Sequence, residues 1–187
     1  MTTLTKPTHV LELESLNACQ EAIEFAATHP DAESAWAACT RGEWMIWLAG
    51  KLSGPQESEG RRKLVACCCE CARLSLPVYE QQHPNDMRPR NCLDVAERWS
   101  RGEATIEELL DARIAAHEAA YAHEAADASA YAAAYAAAAA AADASAAAAA
   151  AASTRSRVLA ECANIVRRHY SQPPQIESAA LAGKETT

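Results

Sequence analysis

Metal binding and acid–base catalysis both require polar side chains gathered on one face of an element, and a few residue groupings in this chain could meet that demand. Cys67 and Cys71 stand four apart in the run Cys-Cys-Cys-Glu-Cys, a spacing that puts two thiols on one side of a helix. A structural zinc takes four ligands, and no CxxC pair or HxxxH supplies the other two. The cysteines therefore read as small buried residues in a closely packed helix, and no metal is expected. His117-Glu118-Ala119-Ala120-Tyr121 opens like the zinc-protease HExxH, but tyrosine stands where the second ligand belongs. His123 is six residues beyond His117, roughly 240° around a helix, and cannot replace it. Asp111 and Glu118 share a helix face as an acid and a base would, yet solvated surface explains such a pair as well. Trp36, Trp44 and Trp47 could form a ligand cage; in a chain with so few aromatic residues they read as core, and Trp99, Arg88 and Arg90 join them as structural residues. The sequence has no phosphate-cradling glycine loop and no GxSxG. These residues imply neither an enzyme nor a cofactor.

What must position any site is helix. The 187 residues carry 25 Asp and Glu against 17 Lys and Arg, a net charge of −8, which argues against direct nucleic-acid binding. Six glycines and eight prolines are too few for a turn-rich sandwich or barrel, and no stretch alternates with period two. Apolar residues recur at helical spacing over 16–26 and 64–75, and Asp31 is placed to cap a short helix holding Trp36. Pro89 suits the first turn of a helix running to Trp99, and Thr105-Ile-Glu-Glu108 is a capping box. The fold class expected is all-α, a single-domain helical bundle without a sheet.

Alanine then takes over, filling 28 of the 41 positions from 112 to 152. Ile106, Leu110, Arg113, His117, Tyr121, Glu124, Tyr131 and Tyr135 fall along one line of a helix, while the opposite line is alanine throughout. A smooth face of methyls lets another helix approach closely. Residues 106–152 contain no threonine, unlike the Thr/Ala arrays of ice-binding helices. A single helix from 106 to 170 would be about 98 Å long, far beyond the ~16 Å radius of gyration of a compact domain of this size. The run is therefore expected to fold back as an Ala-rich helical hairpin, with the break between 143 and 154, where Ser, Thr and Asp can cap a new helix. The organisation expected is an N-terminal arm over 1–14, a helical bundle over 15–171 with Ala-rich helices in 106–152, and a loose tail over 172–187. No signal peptide or membrane span is visible, and eight cysteines without an export signal fit a cytoplasmic protein with reduced thiols.

Several segments together resemble a family of alanine-rich bacterial immunity proteins, relatives of an immunity group from polymorphic toxin systems. The matching pieces are Ala35–Cys39 with Glu43–Leu48, Arg61–Arg73, Arg88-Pro-Arg90 leading into Val95–Thr105, and the alanine tract closing on Leu159–Ala163. Together they span roughly 17–170, and Arg88–Thr105 is the most specific of them. The resemblance implies an all-helical protein that binds a cognate toxin and blocks it without catalysis.

Charge suggests how such a binder would work. The signed sums over 1–60, 61–102, 103–152 and 153–187 are −6, +3, −7 and +2, so the acidic excess collects in one stretch. Glu103, Glu107, Asp111, Glu118 and Glu124, with Tyr121 beside them, form the expected partner-binding face. It suits a basic target such as a nuclease toxin's substrate cleft, where carboxylates stand in for phosphates. The competing account is that these acids pair internally with Arg61, Arg62, Arg88, Arg90 or Arg98. Two other functions use the same features: inhibition of another host or defence protein by a phage or mobile element, and self-assembly, as a homodimer or larger structure, through the smooth alanine face.

Overall fold

The computed structural model of the chain describes residues 6–55, 57–122 and 145–175. Among them are nine helices and no strand: α1 (Thr8–Ser15), α2 (Gln20–Ala27), α3 (Ala32–Ala38), α4 (Gly42–Leu52), α5 (Glu59–Arg73), α6 (Leu76–Gln82), α7 (Arg88–Ser100), α8 (Ile106–Ala122) and α9 (Ser145–His169). The all-α fold expected from the sequence is the fold observed.

Local chemistry sets many of the boundaries. Asp31 Oδ1 accepts from the Ser34 N–H at 2.8 Å at the start of α3. The capping box of α8 closes in both directions, with Glu108 N–H donating to Thr105 Oγ1 at 3.2 Å and Thr105 N–H to Glu108 Oε2 at 2.7 Å. Pro77 and Pro89 occupy the first turns of α6 and α7, where a missing N–H costs nothing. α7 ends in a Schellman turn: Gly102 takes φ +79°, and Glu103 N–H reaches back to Arg98 O at 2.8 Å.

α5 is the centre of the bundle, in contact with α4, α6, α7 and α9. Its cysteines serve two cores. Cys67 and Cys71, one turn apart, pack with Trp36, Met45, Cys162, Ile165 and Val166 toward α3, α4 and α9. Cys69 and Ala72, roughly 140–200° around the helix from Cys67, pack with Leu76, Leu93 and Ala96 toward α6 and α7. A helix buried on two faces must carry small side chains if its neighbours are to approach from both sides, and cysteine is a small apolar residue of that kind.

α4 and α9 approach each other closely at Gly42. A Cβ placed on Gly42 would lie 2.5 Å from Cys162 Cβ and 2.8 Å from Ala163 N, so only glycine fits at the first position of α4. The end of α3 and the end of α9 then bond to each other. Trp36 Nε1 donates to Tyr170 O at 2.9 Å. Arg167 Nη1 donates in return to Cys39 O at 2.7 Å and Trp36 O at 3.2 Å, satisfying carbonyls left open where α3 stops.

At the N-terminus, residues 8–14 of the expected arm belong to α1, and Val10 is only 2% exposed. α9 runs without interruption through 145–154, so no break falls in that part of the expected interval; residues 143 and 144, like the rest of 123–144, lie outside the described residues. The hairpin itself, most of the smooth alanine line and the tail beyond 175 lie outside them too.

Candidate partner-binding surface

α8 lies along α7. Its buried side is formed by Leu109, Ala112 and Ala116, with Leu109 packed on the Leu93–Ala96 core and Ala116 only 5% exposed. At 100° per residue this line runs about a quarter turn from both the thick stripe and the alanine line, so neither of them makes the main contact. The opposite side of α8 is turned outward. Glu107 and Asp111 are exposed there and form no hydrogen bond or ion pair with another described residue. Beside them stand two large apolar side chains, Leu110 at 43% and Ile114 at 58% exposure. Positions 107, 110, 111 and 114 are neighbours at i, i+3, i+4 and i+7, so they make one continuous surface.

The remaining acids of the expected face divide. Glu103 is engaged: Arg101 Nη2 lies 2.8 Å from its Oε2, and that hydrogen-bonded pairing lowers its pKa. Glu108 caps α8, and the Thr105 N–H is the main cause of its lowered pKa. Glu118 and Tyr121 belong to the last turns of α8 but their side chains are outside the described residues, as is Glu124 altogether. The arginines weighed as internal partners are largely occupied elsewhere. Arg62 donates to Trp99 O and lies over the Trp99 ring, 4.7 Å from its centroid, and Arg61 donates to Gly54 O at 3.1 Å. Arg88 grips Asp86 through Nε at 2.9 Å and Nη2 at 2.7 Å; Arg90 forks onto both Glu80 oxygens at 2.7 Å. Arg98 reaches a described acid of α8, Glu108, at 3.5 Å. Arg88 and Arg90 thus brace the α6–α7 connection, while Trp36 and Trp99 are buried and Trp44 packs partly buried against the core. Trp47 is half-buried and opens onto a groove.

Sequence reasoning placed Leu110 on the stripe but did not include it or Ile114 in the binding face. Ile114 sits one turn from Leu110, a spacing visible in the sequence; which side of α8 meets α7 is a tertiary fact that spacing does not contain.

Cys68, Cys69 and Cys162 are poorly suited to chemistry. Burial pushes Cys68 up to about 11 and Cys69 up to about 12, so neither offers a thiolate near neutral pH. Cys162 is raised as well, by its contact with the Cys71 thiol and by burial. Among the described residues no group of three or more His, Cys, Asp or Glu is disposed to hold a metal ion, and no helix is long and apolar enough to cross a membrane.

Comparison with known proteins returns one family, described as "Imm-5 like putative immunity protein", matched over residues 54–172. No curated protein and no solved structure matches the chain. The matched segment holds α5 to α9 as described here, the two-faced cysteine helix and the α7–α8 pair included, and covers well over half of the sequence. The chain belongs to the Imm-5 like immunity protein family.

Proposed function

We propose that the protein neutralises a cognate toxin by binding and covering its working surface, without catalysis. Membership of an immunity family is the observation that carries this reading. The outer face of α8 is the surface best suited to the task. Glu107 and Asp111 carry charge that no described side chain neutralises, and Leu110 and Ile114 add apolar area that gains by leaving water. A partner with a basic cleft, such as a nuclease that must hold phosphates, is attracted by those carboxylates before contact and then loses access to its substrate. Glu118, Tyr121 and Glu124 extend the same proposal along the chain, with Glu103 a minor contributor because Arg101 already holds it.

Co-expression with whichever product of a neighbouring gene arrests growth tests the reading. Growth should be restored by the wild-type chain, and calorimetry on the purified proteins should give a saturable complex. The double variant Glu107→Lys, Asp111→Lys should slow association about tenfold or more at low salt, flatten its salt dependence, and leave the fold intact. Association unchanged by that reversal would remove α8 as the binding face.

A further inference from the structure

An apolar crevice of about 90 Å³ is walled by α1, α2, α3 and α4, through Leu13, Phe25, Trp36, Trp44, Met45 and Leu48. Its inner wall is core, since Trp36 and Met45 are buried, while Phe25, Trp44 and Leu48 are only partly covered. The Phe25 and Trp44 rings meet tilted, with centroids 5.9 Å apart. The one imidazole in the lining is engaged, because His9 Nε2 donates to Ala26 O at 3.0 Å. An apolar cavity of roughly 150 Å³ stays dry and admits a six-carbon ring, so this smaller one suits a single aliphatic side chain better than water.

The chain itself leads to the mouth of this crevice. Trp36 Nε1 donates to Tyr170 O at 2.9 Å, which holds the end of α9 against α3. Three residues later Pro173 is buried and forms part of the crevice wall, although it opens the stretch expected to be a loose tail. Pro173, Pro174 and Gln175 are not helical, and consecutive prolines favour extended backbone that carries the chain onward. The first large apolar residue after them is Ile176, with Leu181 the next; both lie outside the described residues. Ile176 is three residues from Pro173, within roughly 10 Å of it along the chain. Its four side-chain carbons match the space. A side chain joined to the rim by so few residues meets it at an effective concentration on the order of millimolar, an advantage no separate molecule has.

We propose that the crevice is the seat of the segment that follows Gln175, with Ile176 as the side chain that fills it. The contact fastens α1, α2 and α3 to the end of α9 and removes the exposed edges of Phe25, Trp44 and Leu48 from water.

The test uses the full chain. Ile176→Ala should lower the melting temperature by about 2–4 °C, and Ile176→Asp by more. In Ile176→Asp the amides of α1 and α2 should exchange about threefold faster or more, and iodide should quench tryptophan emission more strongly. Thr186→Asp, which places the same charge further along the segment, should behave as the wild type does. Leu13→Ala probes the seat from its other side: because the two residues share one contact, the double variant with Ile176→Ala should lose clearly less stability than the two single losses added together. Additive losses overturn the proposal, as do Ile176 variants whose melting, exchange and quenching all match the wild type. Protection of α1 and α2 that rises with protein concentration also overturns it, and assigns the crevice to a second copy of the chain.

Discussion

The approach of α4 to α9 at Gly42 makes a sharp prediction, because a second glycine on the same helix serves as its control. In Gly42→Ala the new methyl would sit 2.5 Å from Cys162 Cβ, 2.8 Å from Ala163 N and 2.9 Å from Cys162 C. Carbon atoms in contact prefer roughly 3.5–4.0 Å, so the helices must part by about 1 Å. Two of the three atoms met are backbone, and no rotamer change relieves them. Overpacking of this kind costs about 1–3 kcal/mol, and alanine's better helix propensity returns less than ~1 kcal/mol at a first-turn position. A net loss of about 2 kcal/mol corresponds to a melting temperature lower by roughly 4–8 °C for a chain of this size. Gly50 lies in the same helix with only Leu64 Cδ2 nearby, at an ordinary 3.7 Å. Gly50→Ala should therefore stabilise, by up to about 1 kcal/mol. Thermal and urea denaturation followed by far-UV circular dichroism compares the two directly. Gly42→Ala at or above wild-type stability would refute the α4–α9 packing described here.

Three further expectations concern the supports around the sites. Arg167→Met removes the donor that serves the Trp36 and Cys39 carbonyls and should cost about 2 kcal/mol, seen as an earlier urea midpoint. The Arg88 guanidinium, followed by the Arg88 N–H and the Tyr79 hydroxyl, holds the Asp86 carboxyl below its ordinary value of 3.8. A depressed folded-state pKa means stability that is complete above about pH 4 and lost as pH falls through the folded value, so Asp86→Asn should flatten part of the acid limb of a pH–stability curve. Thr105→Ala, which opens the capping box of α8, should destabilise by about 1 kcal/mol in chemical denaturation and leave α7 intact by hydrogen exchange.

The sequence alone determined the helical character of the chain and several of its joints. Those features arise from neighbours a few residues apart: Asp31 with Ser34, Thr105 with Glu108, Pro89 in a first turn, and the reading of cysteine as a small buried residue. It also located the acidic excess, and Glu107 and Asp111 are exposed and without a partner among the described residues where that excess begins. Tertiary structure decided how faces are used. α8 turns Leu109 and Ala116 toward α7, a choice its own periodicity could not make because leucine and isoleucine stand on both sides of the helix. α5 divides its cysteines between two cores because helices close on it from opposite sides. The same long-range packing brings Arg155 and Trp47 to the lining of one groove and leaves Glu43 Oε2 without a donor among the described residues. Contacts across a hundred residues of chain depend on which surfaces bury the most area together, and local spacing carries no record of that competition.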